Sequence, residues 1–189
     1  ETEFGDSGDL GLSSGLARNG NSGSMDISTG AAGDGGAGRI SLAAGTSSSS
    51  SGATVSLSAG HGTVGGSIAV KTGSAEDSME ASGTIAITTA DSSGSSGSVQ
   101  VATGTASVGY SGAVTVESGN VAEGTGGDLR VAVGSGGSGQ GGFVDIVAGA
   151  SSGTMSGAVT IQSGQSAASA SSGIISISTS DATGDAASG

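Results

Sequence analysis

An all-β fold, a β-solenoid (β-helix) of about twelve 15-residue coils, is what this sequence predicts, and three observations carry that expectation. Large apolar residues recur as pairs two positions apart. The pairs return about every fifteen residues along all 189 positions. Glycine or another small residue brackets each pair, as in "GAVTVESG" (112–119) and "GAVTIQSG" (157–164).

The second residue of each pair falls at Leu12, Ile27, Leu42, Leu57, Val70, Ile87, Val101, Val116, Val131, Ile146, Ile161 and Ile177. Steps between them are 15, 15, 15, 13, 17, 14, 15, 15, 15, 15 and 16, so a shortened connection is followed by a lengthened one. Internal repetition of this kind is the signature of a repeat architecture. Alternation with period two reads as a strand with one covered face, and Val, Ile and Thr suit a pleated surface. A helix is disfavoured, because each recurrent glycine costs about 1 kcal/mol relative to alanine. Strands are therefore expected near 10–12, 25–27, 40–42, 55–57, 68–70, 85–87, 99–101, 114–116, 129–131, 144–146, 159–161 and 175–177, within one repeat domain covering 1–189.

After each closing glycine come about seven small residues. Position two of that stretch holds Ala17, Ala32, Ser47, Ala75, Ala106, Gly136, Ser151 or Ser166, and only Val121 is larger. The expectation is two stacked apolar ladders facing a wall of small side chains. Two aliphatic side chains per coil cannot offset the ordering of fifteen residues, so stacking has to supply the remainder.

Composition narrows the function. Sixteen acidic residues against four basic ones give a net charge of −12. Arg18, Arg39, Lys71 and Arg130 cannot form the basic stripe that nucleic acid requires. No apolar run approaches the roughly 20 residues of a membrane helix, so neither nucleic acid nor membrane insertion is expected. With no cysteine, disulfides and thiolate metal sites are excluded. The 41 glycines and scarce aromatics resemble disordered chain, whereas the absence of proline and the strict apolar period oppose that reading.

Chemistry-bearing motifs are weak. "GLSSG" (11–15) and "GASSG" (149–153) match G-x-S-x-G, which has catalytic meaning only on a strand–turn–helix, and one His61 cannot serve both serines. "GDGGAG" (33–38) and "GSGGSG" (134–139) match G-x-G-x-x-G without opening a helix. The connection 74–82 holds Glu76, Asp77 and Glu80, and the stretch Asp181 to Asp185 holds two carboxylates. Calcium needs six to eight oxygen ligands, so both read as solvated surface loops. Phe143 and Ile174 fall at outward positions, open to solvent or to another chain. No catalytic, cofactor-binding or metal residue is expected, and no enzyme activity.

With "GGAGRISLAAG" (35–45), "GAVTVESG" and "GAVTIQSG" in hand, the chain resembles the Gly/Ser-rich β-solenoid repeats of secreted and cell-surface proteins from microbes and algae. That resemblance spans essentially the whole chain and implies an extracellular or cell-surface location. It implies a stiff, acidic rod serving as a surface filament, coat or adhesin stalk. The coil length is also similar to fifteen-residue insect antifreeze solenoids, from which this chain departs by lacking cysteine and a regular Thr-x-Thr array. An ice-binding solenoid and a polysaccharide-binding or polysaccharide-active solenoid stand as alternatives. Expected partners are further copies along the rod axis, head to tail or in a longer array, because neither end shows a cap. Cell-surface matrix or polysaccharide is the second partner class.

Overall fold

The computed structural model of the chain describes residues 5–76, 80–166 and 170–181. Two units are distinguished, Glu1–Gly97 and Ser98–Gly189. Within each, the fifteen-residue period organises the backbone, though not in the way the apolar pattern predicts.

Among the described residues there is no strand and no helix, so the chain is not an all-β solenoid or β-helix. The two expected ladders are absent as well. Val116 is 67% exposed, Leu42 77% and Ile177 87%, and no described hydrophobic residue is buried. Accessible surface totals 18737 Å² for 17.0 kDa. A compact chain of that mass would expose roughly 7,700 Å² and a fully unfolded one about 25,000 Å². The V-x-V spacing states which residues could share a face. It does not state that another segment fifteen residues away will cover them, which is a non-local event with its own ordering cost.

The repeats instead close locally. At five of the junctions between repeats the closing glycine's carbonyl accepts a hydrogen bond from the N–H of the residue that opens the next repeat. In the first unit Ala53 N–H donates to the Gly45 carbonyl at 3.1 Å, Gly66 to Gly60 at 3.0 Å and Gly83 to Gly73 at 3.2 Å. In the second, Gly157 donates to Gly149 at 2.9 Å and Gly173 to Gly164 at 3.0 Å. Where the intervening residues are all described, at 46–52, 61–65 and 150–156, they form a surface loop whose ends meet. Its base is termed the neck here. Short loops of this kind need little chain entropy to close.

Side chains explain the spacing at the neck. The residue just before the closing glycine lies against the next opening glycine. A Cβ built on Gly38 would stand 3.4 Å from the Thr29 Cβ, and one on Gly112 would stand 3.3 Å from the Thr103 Cγ2. At Gly142 the corresponding approach to the Val133 Cγ1 is 2.6 Å. Thr29 adds a bond of its own, its Oγ1 donating to the Gly38 carbonyl at 3.1 Å. The half-buried described residues fall at two register positions only: Ala44, Thr72, Ala148 and Ser163 before the closing glycine, and Ala17 and Ser166 two after it. Among the described residues the least exposed small side chains are thus those before the closing glycine or two after it.

Among the described residues the loops bend at 18–20, 33–35, 48–50, 62–64, 93–94, 107–109, 122–124, 137–139 and 152–154, and also at 76, 80 and 170. Two of these bends end on glycines with positive φ, Gly109 at 92° and Gly124 at 125°. An L side chain adopts that conformation only with strain, so glycine is required there for backbone reasons. The two positions are fifteen apart, the same register in consecutive repeats.

Candidate functional site

Three of the loops carry organised polar groups, centred in each on a serine two positions after the closing residue. Ser47 Oγ accepts hydrogen bonds from the N–H of Ser50 at 3.0 Å and of Ser49 at 3.4 Å. Ser151 Oγ accepts from Thr154 N–H at 3.1 Å and Gly153 N–H at 3.3 Å. Ser92 Oγ likewise accepts from Gly94 N–H at 3.2 Å. These are serine turns, in which a side-chain oxygen takes the place of a backbone carbonyl. The sequence marks this position as small. Its chemical part, a hydroxyl that organises the bend, follows from the structure.

That geometry accounts for the G-x-S-x-G match at 149–153. The Ser151 hydroxyl is engaged with the loop backbone and stands 3.5 Å from the Thr154 hydroxyl, while Ser156 Oγ accepts the Ser151 N–H at 3.3 Å. No histidine occurs anywhere in Ser98–Gly189, so no base of that kind is available to Ser151 within its own unit. At 11–15 the stretch is likewise exposed and neither strand nor helix. The two G-x-G-x-x-G matches fall on loop bends and open no helix, the context that gives the motif its meaning.

His61 is exposed in the loop closed by the Gly66–Gly60 bond. Glu76 and Glu80 are exposed in the 74–82 connection, and Asp77 lies outside the described residues. Asp181 is described and exposed, whereas Asp185 is not among the described residues. Among the described residues no three His, Asp or Glu side chains group as a metal site would require. Phe143 and Ile174, expected outward, are 85% and 90% exposed.

One open concavity of about 480 Å³ is lined by Lys71, Thr72, Gly73, Ser74 and Ser82. It lies at the neck formed by Gly83 and Gly73. A lysine ammonium and three hydroxyls can attract an anion, but the concavity is open and its groups are exposed or half-buried. At such a site water competes fully with any ligand.

No protein-family model matches the chain, and none of the curated proteins or solved structures compared with it matches either. No helix among the described residues is long and apolar enough to cross a membrane.

The most regular feature is the exposed apolar pair. In the second unit the first member of each pair is always the less exposed: Val99 57% against Val101 76%, Val114 56% against Val116 67%, Val144 55% against Ile146 70%. Every repeat of that unit thus presents two exposed aliphatic side chains, the first less exposed than the second.

Proposed function

We propose that the chain is a structural repeat element of an extracellular fibre, coat or stalk, built to associate with further copies rather than to catalyse a reaction. The observation that supports this reading is the twelvefold return of one sequence unit, with an exposed apolar pair in each. A binding or catalytic protein concentrates its chemistry at a few unlike residues. This chain distributes the same modest features evenly along its length. The net charge of −12 suits a surface polymer that must stay hydrated and resist indiscriminate association.

An antibody raised against the chain, applied to the organism that makes it, tests this reading. Label on material outside the cell, with the protein in the wall, matrix or medium fraction, is the expected result. Confinement to the cell interior would overturn it.

A further inference from the structure

We propose that the apolar pairs of the second unit form an interface with a second copy of this chain, paired at offsets of whole fifteen-residue repeats. The inference deepens the structural function above and rests on it for its biological sense.

The argument starts from area. Six pairs run from Val99 and Val101 to Ile175 and Ile177, and their members are 48% to 87% exposed. Aliphatic side chains of this size carry on the order of 60–120 Å² of apolar surface each, so at these exposures the unit presents roughly 500–900 Å². A standard protein interface takes about 800 Å² from each partner. The apolar surface left open on the six pairs together is therefore comparable in total to what one partner contributes to a standard interface.

Periodicity selects the occupant. Single pairs are weak docking points, and only a partner that meets several at once gains the benefit of multivalency. An ordinary globular surface has no fifteen-residue period and would meet one or two pairs. A second copy has the matching period by construction. None of the twelve positions carries a charge, whereas Glu117, Asp128, Arg130 and Asp145 stand immediately beside them. The side chains to be covered are therefore all apolar, and the cost of burying an unpaired charge does not arise at the pairs themselves.

The same regularity determines the assembly. Steps of 15, 15, 15, 15 and 16 between Val101 and Ile177 make an offset by one repeat almost equivalent to no offset. Offset contacts do not close on themselves, so they extend lengthwise. With a net charge of −12 on each copy, association is opposed at low ionic strength and favoured by added salt.

The test uses the full chain and follows its mass by sedimentation velocity across concentration, at low and high salt. One triple variant, Val101→Asp, Val116→Asp and Ile161→Asp, places charge in the pairs. A control triple variant, Gln100→Asp, Thr115→Asp and Thr160→Asp, places the same charge one residue away. The expected result is growth of the parent chain beyond monomer mass with concentration and salt. The control should follow the parent, while the pair variant needs at least about a tenfold higher concentration to associate, the factor that corresponds to about 1.4 kcal/mol. Amide exchange at Gly157 and Gly173, followed in all three chains, confirms that the necks are unchanged. A parent chain that stays monomeric throughout overturns the inference, and so do two variants that behave alike. If the protein is found in extracellular fibres yet stays monomeric in this assay, the inference falls and the function stands. If it is confined to the cell interior yet associates through its pairs, the inference stands and the function falls.

Discussion

Val116→Asp distinguishes a chain held by local necks from one held by a buried apolar ladder. Val116 is 67% exposed, so only about a third of its side chain is shielded. Full burial of a valine is worth about 1.5 kcal/mol at the lower end of the usual range, and a third of that is about 0.5 kcal/mol. The introduced carboxylate remains hydrated and escapes the penalty of an unpaired buried charge. Its neighbour Glu117 is exposed, and Glu117→Ser should change stability by nothing measurable. The two substitutions should therefore differ by about 0.5 kcal/mol, within the range of ordinary surface changes. In dilute solution, heating followed by far-UV circular dichroism should give gradual, non-cooperative curves for the parent and both variants. Amide shifts should move only within the repeats that flank position 116. A sharp cooperative transition in the parent, shifted strongly downward by Val116→Asp and not by Glu117→Ser, would refute the reasoning.

Two further outcomes follow from the loops. Ser47→Ala and Ser151→Ala each remove an acceptor shared by two N–H groups, so the amides of Ser50 and Thr154 should exchange faster, by an amount equivalent to about 1 kcal/mol locally. Unchanged exchange at those amides would exclude the serine turn. Gly109→Ala and Gly124→Ala force an L side chain into positive φ and should disorder their bends at a cost of about 1 kcal/mol, whereas Gly15→Ala, with φ outside that region and open space around its Cβ, should have little effect. Equal responses at all three positions, read from loop chemical shifts, would contradict the assigned conformations.

The period is legible in the residues, because glycine and paired aliphatics are both counted by eye and both matter. Val114 and Val116 have nearly the same exposures as Val144 and Ile146, but both pairs are open where the spacing predicts a buried ladder. Smallness at the position of Ser47 and Ser151 is legible too, but it suggests a facing wall when its role is a turn. What the pattern cannot carry is the partner of the pairs. A V-x-V segment has the same appearance whether its covered side meets another coil, another chain or water. That choice depends on the balance between chain entropy and non-local contact, and no single repeat encodes it. The necks are hidden for a related reason. A closing glycine and an opening glycine six to ten positions apart look like two separate breaks in a strand pattern, although Gly149 and Gly157 are joined by a 2.9 Å hydrogen bond.

Residue-resolved amide hydrogen exchange on the dilute full chain tests local closure most directly. The amides of Ala53, Gly66, Gly83, Gly157 and Gly173 donate across the necks and should exchange more slowly than their neighbours. The amides of 114–116 and 129–131 belong to segments without strand pairing and should exchange at nearly open-chain rates. Strong protection running through every apolar segment, with the necks no slower than the rest, would contradict local closure and restore a paired sheet.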